Sequence, residues 1–191
     1  IAYQMVCGFA RTELMSGVTT IRTVGGLADF DTRLRDEIAA GRRVGPRILA
    51  ANEGISVPGG HMAGSVAVAA HSIPEALAQL DAAEAQGVDL IKLMITGGVM
   101  DAKEKGVPGE MKMPPEMIKA VCDRAHAAGY RVAAHVESPQ GVRAALERHG
   151  VECTLEARDA TFGGIKMVQR WSFIHQKNGA PLNSEAERWN C

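Results

Sequence analysis

Two residues of this chain, Lys92 and His135, have side chains that can bind a metal ion or react with a carbonyl group, and both lie in apolar segments. Lys92 interrupts the run Val88–Ile95, which breaks at Thr96-Gly97-Gly98. Burial disfavours an ammonium group, so such a lysine has a lowered pKa, a charged partner or a covalent modification. The alternative is an edge strand, from which Lys92 would extend its ammonium group into water.

Lys92 and His135 predict one metal site if they lie together. A lysine that has reacted with carbon dioxide is a carbamate, an anionic oxygen ligand that can bridge two metal ions. A neutral imidazole at His135 suits zinc. A hydroxide held between two metal ions is a nucleophile at neutral pH, so the pair indicates metal-assisted hydrolysis.

A third histidine is a candidate for the same pocket. His61 lies in Pro58-Gly59-Gly60-His61-Met62, and the glycines allow the backbone to approach a ligand closely. We expect His61 to contact substrate. The other histidines are expected to be structural or to lack neighbours with metal-ligand spacing; they are His71, His126, His149 and His175.

The elements that must position these residues alternate between strands and helices. The patterns predict five strands, at 17–24, 47–51, 88–95, 130–136 and 151–155, with helices at 30–40, 72–86, 114–128 and 138–150 between them and a helix over 1–14 before them. The segments 52–64 and 96–113 are predicted to be glycine-rich loops.

Apolar strands that alternate with amphipathic helices predict an α/β fold with a parallel sheet covered by helices. A doubly wound sheet and a (β/α)8 barrel both satisfy this pattern. No G-x-G-x-x-G sequence follows a strand, whereas Lys92 and His135 lie at or near carboxyl ends of strands, where barrel active sites form. The sequence therefore favours a TIM-type barrel, which is partial because a full barrel needs about 250 residues.

Composition narrows the classes of partner. The chain has 191 residues, 46% of them hydrophobic, and a formal net charge of −1 with both signs interspersed. This predicts a globular protein that binds small molecules, with no nucleic-acid or membrane partner. Four widely spaced cysteines and the lack of a leader or a long apolar run predict a cytoplasmic location.

Five motifs in order give a specific resemblance. They are Gly17-Val18-Thr19-Thr20-Ile21-Arg22, Gly45-Pro46-Arg47-Ile48, Gly59-Gly60-His61, Ile91-Lys92-Leu93-Met94-Ile95-Thr96-Gly97-Gly98 and Ala134-His135-Val136-Glu137. From Arg11 to Glu156 the chain resembles the amidohydrolase superfamily, and most closely its imidazolonepropionase-like and Xaa-Pro dipeptidase (prolidase-like) branch.

The resemblance implies a binuclear zinc hydrolase on a (β/α)8 barrel. Lys92 would be the carboxylated ligand that bridges the metals, and His135 would bind the second metal. A metal-activated hydroxide would attack the scissile amide carbonyl. The family's general base is an aspartate at the end of the last barrel strand, which this chain lacks, so no catalytic residue is identified.

Further family motifs are absent from the sequence. No His-x-His pair occurs, and residues 1–16 resemble the helix after the first barrel strand, so we expect that strand to have been removed. The Glu-His-Gly of the sixth strand is replaced by Glu156-Ala157-Arg158. One extra base in the codons would cause this change. We therefore expect a partial barrel over 1–156 and an atypical tail over 157–191 that is poorly packed or covers exposed sheet. The tail is either frameshifted or a native but unusual C-terminal extension.

Three functions follow. The first is a fragment of a metal-dependent hydrolase that cleaves a peptide-like or cyclic amide, with little or no turnover by this chain. Its substrate would be a dipeptide with a C-terminal proline or basic residue, or a lactam or lactone. The second is a barrel enzyme in which Lys92 forms a Schiff base. The third is a non-catalytic remnant whose sheet edges drive self-association into a homo-oligomer.

Overall fold

The computed structural model describes residues 1–104, 109–149, 152–162 and 165–173, with side chains described as far as residue 145. Strands alternate with helices through most of this range. The helices are α1 (Ala2–Met15), α2 (Phe30–Ala39), α3 (Ile73–Ala85), α4 (Pro115–Ala127) and α5 (Pro139–His149). The strands are β1 (Thr20–Arg22), β2 (Arg47–Leu49), β3 (Gly54–Ser56), β4 (Ala67–Ala69), β5 (Leu90–Met94), β6 (Arg131–Val136), β7 (Glu152–Phe162) and β8 (Ile165–Phe173).

Local signals place the helix starts where the sequence predicts them. The Ser72 hydroxyl accepts a hydrogen bond from the Glu75 N–H at 3.4 Å, and Pro74 lies in the first turn of α3. A capping hydroxyl satisfies an amide that has no partner inside the helix, and proline has no amide to leave unpaired. Pro115 begins α4 for the same reason.

Most strands of the chain form one sheet in the order β4-β3-β5-β6-β7-β8. All neighbours in it are parallel except β7 and β8, which are antiparallel. β1 and β2 form a separate parallel pair. The Asp89 N–H donates to the Ala50 carbonyl at 2.7 Å, so the end of β2 is tied to the start of β5.

The five predicted strands are present, and the structure adds three. β3 and β4 lie within or beside the glycine-rich segment, and β3 was predicted to be loop. Each is only three residues long, which is too short to show the alternation of apolar and polar residues that predicts a strand. The segment from Ala157 continues β7 without a break and turns back as β8; residues 163–164 and 174–191 of the predicted tail lie outside the described residues.

The two faces of β5 and β6 have different neighbours. Ile91, Leu93 and Ile95 on one face pack with α3 and α4 in the main hydrophobic core. The apolar side of α4 supplies Met117, Ile118, Val121, Cys122 and Ala125 to this core. Full burial of each large aliphatic side chain stabilises the fold by about 1.5–3 kcal/mol. The opposite face carries Lys92.

A second core fixes the first helices to the β1–β2 pair. It contains Tyr3, Cys7, Leu34 and Ile48, and the Tyr3 ring meets Phe30 edge to face with centroids 5.2 Å apart. Among the described residues, no helix has the length and apolar character needed to cross a membrane.

Candidate active site

Lys92 is buried in the centre of a sheet. All five residues of β5 are buried, and Lys92 is 5% exposed. β5 pairs with β3 on one side and with β6 on the other, so the edge-strand interpretation of Lys92 is wrong. Gly54 makes room for this side chain, because a Cβ atom on Gly54 would lie 3.2 Å from Lys92 Cγ.

The register of β5 and β6 places His135 on the same face as Lys92. Lys92 pairs with Ala133 and Met94 pairs with His135. Paired residues of neighbouring strands point to the same side, and residues two apart in one strand share a face. The lysine and the histidine therefore lie on the face turned away from α3 and α4, with His135 nearer the carboxyl ends of the strands.

His135 is held as a neutral imidazole. Burial, together with the neighbouring charges of His61 and Lys92, lowers its pKa to about 3. Its Nε2 is buried and has no hydrogen-bond partner among the described residues. The nearest carboxylate oxygen, Glu137 Oε1, lies 3.7 Å away, beyond hydrogen-bonding distance. A neutral ring with an unused nitrogen is the form of histidine that binds metals.

His61 is brought to the same place by the loop after β3. Its ring stacks on the ring of His135 with centroids 3.9 Å apart and planes inclined by 9°. Ser56, at the end of β3, donates its hydroxyl to the His61 carbonyl at 3.1 Å and fixes the backbone of this loop. The three candidate residues thus lie around one region of the sheet.

Asp101 is a site residue that the sequence did not indicate. It lies in a short 3₁₀ turn, Val99–Asp101, after β5. Its Oδ2 lies 2.5 Å from His61 Nδ1 and accepts the Gly98 N–H at 2.8 Å. Although partial burial opposes ionisation, these hydrogen bonds lower the pKa of Asp101. Nothing in the sequence indicates that Asp101, which lies in a predicted loop, contacts His61.

Position 98 requires glycine because two imidazole rings lie close to its backbone. A Cβ atom there would lie 2.6 Å from His61 Cε1, 2.7 Å from His61 Nδ1 and 3.3 Å from His135 Nε2. The backbone of Gly98 is extended, so the constraint is space and not an unusual dihedral angle. The glycine turn after β5 therefore admits both imidazole rings beside the backbone.

Thr96 connects the ends of the two central strands. It is fully buried, and its Oγ1 accepts the Glu137 N–H at 2.9 Å. This bond holds the segment after His135 against the segment after Lys92. It fixes the relative positions of the two candidate ligands.

The remaining histidines with described side chains lie on the surface. His126 is exposed on α4, and His71 is exposed and lies 3.1 Å from Glu75 Oε2 through Nδ1. The side chain of His149 and all of His175 lie outside the described residues.

Comparison with known proteins gives the family. The model of the amidohydrolase family matches residues 1–172. The chain belongs to the amidohydrolase family. This confirms the resemblance drawn from the five motifs. The division at residue 156 stays a prediction. A search of curated proteins gave no match.

Solved structures similar to this amidohydrolase chain include two dipeptidase-like proteins. A protein from Bifidobacterium longum assigned as a prolidase is 41% identical with a TM-score of 0.67, over 78% of this chain and 35% of that one. An Xaa-Pro dipeptidase with bound methionine in its active site is 30% identical with a TM-score of 0.69, over 78% and 39%. The A. niger ochratoxinase, 21% identical with a TM-score of 0.68 over 76% and 38%, shows the fold alone.

These relatives confirm the predicted partial (β/α)8 barrel, and the chain spans 35–39% of their length. Amidohydrolases are hydrolases that generally use metal ions. Within residues 1–104 and 109–145, no group of three or more His, Cys, Asp or Glu side chains could hold a metal ion. The unused Nε2 of His135 and the buried Lys92 fit the donor set of such a site in part.

Proposed function

We propose that this chain carries part of the active site of a metal-dependent hydrolase that cleaves the amide bond of dipeptides with a C-terminal proline. Lys92, as a carbamate, and His135 would hold zinc, and His61 would contact the substrate. The observation that carries the proposal is the neutral His135 ring, whose buried Nε2 has no hydrogen-bond partner among the described residues and which shares a sheet face with buried Lys92.

The two proposed ligands have complementary chemistry. Conversion of Lys92 to a carbamate would replace a cation in a buried strand by an anion that a metal neutralises, so burial and metal binding favour the same product. His135 needs no deprotonation before it binds, because its ring is neutral at pH 7. When bound, the metal would polarise the amide carbonyl and lower the pKa of water.

The residues around this pair have supporting tasks. Thr96 connects the ends of the two strands, and Gly98 allows the backbone to lie close to both imidazole rings. His61, stacked on His135, is placed to contact a group bound next to the metal. The dipeptide substrate is suggested by the two relatives that are at least 30% identical, one assigned as a prolidase and the other an Xaa-Pro dipeptidase.

Substrate binding tests the proposal better than turnover. The donors found among the described residues are too few to hold two metal ions, so we expect little hydrolysis by this chain. The experiment records the NMR signals of the histidine rings while Gly-Pro or Gly-Gly is added, with and without zinc. Gly-Pro is expected to shift the His61 signals when zinc is present, and Gly-Gly to shift them less.

The control variants separate the site from the surface. Lys92→Ala should abolish the zinc-dependent shift, whereas Lys119→Ala, which removes an exposed lysine paired with Asp123 on α4, should preserve it. A Gly-Pro response that is independent of zinc, or is unchanged in Lys92→Ala, would overturn the proposal.

A further inference from the structure

We propose that Asp101 is a positioning residue that holds the His61 ring in one orientation and one tautomer, with Nδ1–H donated to the Asp101 carboxylate. Nε2, on the opposite edge of the ring, is then the nitrogen left for the substrate. The use of Nε2 rests on the proposed function above, whereas the orientation of the ring does not.

The geometry around Asp101 supports a fixed carboxylate. Its Oδ2 receives two donors, the Gly98 N–H at 2.8 Å and His61 Nδ1 at 2.5 Å. The first bond closes the 3₁₀ turn that carries Asp101, so the oxygen is held by the backbone before it meets the ring. Gly98 itself lies against the ring, since its added Cβ would clash with His61. The same turn therefore supplies both the acceptor and the wall beside the imidazole.

Stacking alone does not select an orientation of His61. The ring lies parallel to His135 at 3.9 Å, and a half-turn about the Cβ–Cγ bond would preserve that stack while it exchanged Nδ1 for a carbon atom. Only the orientation seen in the structure places His61 Nδ1 where it can donate a hydrogen bond to Asp101. A hydrogen bond to a charged group shifts such an equilibrium by roughly 10- to 100-fold, so Asp101 decides which edge of the ring faces away.

A second carboxylate–histidine pair gives an internal comparison. His71 Nδ1 lies 3.1 Å from Glu75 Oε2, but their side chains are 69% and 53% exposed. In the His61–Asp101 pair the corresponding values are 17% and 25%. Water competes for both members of the exposed pair, and hydrogen bonds to water replace those that are lost. We expect the His71 ring to exchange between tautomers and the His61 ring to be fixed.

The test is a ¹⁵N NMR measurement of the histidine rings in the metal-free, full 191-residue chain at about pH 8, above the ordinary pKa of histidine. In the wild type, His61 should show a protonated Nδ1 and a separate unprotonated Nε2, and His71 should show averaged signals. Asp101→Ala should average the His61 signals. Glu75→Ala, the matched control, should leave them separate.

The outcomes decide the inference without substrate or metal. A bare Nδ1 on His61 in the wild type overturns it, and so does a His61 spectrum that Asp101→Ala leaves unchanged. The wild-type spectrum still decides the orientation if Asp101→Ala fails to fold. A fixed His61 in a chain that binds no zinc would retain Asp101 as a positioning residue while the proposed function fails. If the chain binds zinc but the His61 ring exchanges freely between tautomers, the role of Asp101 is overturned while the proposed function is retained.

Discussion

The imidazole rings of His61 and His135 stack in parallel, 3.9 Å apart, although 74 positions separate them in the sequence. One ring comes from the loop after β3 and the other from the carboxyl-terminal part of β6. Their contact joins a proposed substrate-binding residue to a proposed metal ligand. The His135 ring is neutral, so the stack avoids the repulsion of two imidazolium ions.

Stability of the metal-free chain should fall in acid because of His135. The pKa of His135 is about 3 in the folded chain, and the ordinary value for histidine, 6.5, applies to the unfolded chain. At a pH between these values the unfolded chain binds a proton that the folded chain does not. The free energy of unfolding should therefore fall as the pH falls from about 6.5 towards 3, by at most about 1.4 kcal/mol per pH unit from this group.

Urea unfolding at several pH values in this window measures the effect. His135→Gln removes the titrating group and should give a shallower dependence than the wild type, with His126→Gln, on the exposed side of α4, as a control for the loss of an imidazole. Parallel curves for the wild type and His135→Gln would show that His135 ionises as readily in the folded chain as in the unfolded one.

Gly98→Ala should displace the His61 ring. The new methyl group would lie 2.6 Å from His61 Cε1, so the ring or the turn must move, at a cost of about 1–3 kcal/mol. Gly8→Ala is the matched control, because nothing lies within 4 Å of a Cβ atom at Gly8 in α1 and alanine favours a helix by about 0.5–1 kcal/mol. Thermal unfolding compares the two. Equal stability of Gly98→Ala and the wild type would contradict the close approach.

Thr96→Val should loosen the connection between the ends of β5 and β6. Valine has the shape of threonine but cannot accept a hydrogen bond from the Glu137 N–H. The loss of the partner of this partly buried amide should cost about 1 kcal/mol. Thr12→Val makes the same chemical change on the exposed side of α1 and should change stability by no more than about 0.5 kcal/mol.

Amide hydrogen exchange localises the effect of Thr96→Val. The Glu137 amide should exchange faster in the variant, while amides in the centre of β6 stay protected. Unchanged protection of Glu137 would mean that Thr96 does not hold this segment.

The central fold could be predicted because its signals are local. The apolar run around Lys92 and the segment Tyr130–Val136 each fill a buried strand, and Gly87 and Gly129 end the helices before them. The order of these elements led to the barrel that the relatives confirm. The sequence placed Lys92 and His135 at the same edge of the sheet, and the pairing of β5 with β6 in the structure places them on one face.

The loops carried no comparable signal. Asp101 and Gly98 act through contacts with His61, which lies about 40 positions away, and neither the composition nor the period of a loop encodes such a contact. The strand Gly54–Ser56 was missed because its glycine weakens the pattern, yet that glycine is what gives the Lys92 side chain its space.

Zinc binding measured by isothermal titration calorimetry in bicarbonate buffer tests the central claim most directly, namely that Lys92 and His135 are ligands of one metal site. The variants are Lys92→Met and His135→Gln, with Lys119→Met and His126→Gln as exposed controls on α4. We predict that the wild type and the controls bind zinc alike, and that each site variant loses at least about tenfold in affinity. Failure of the wild type to bind zinc, or equal binding by all five proteins, would contradict the account.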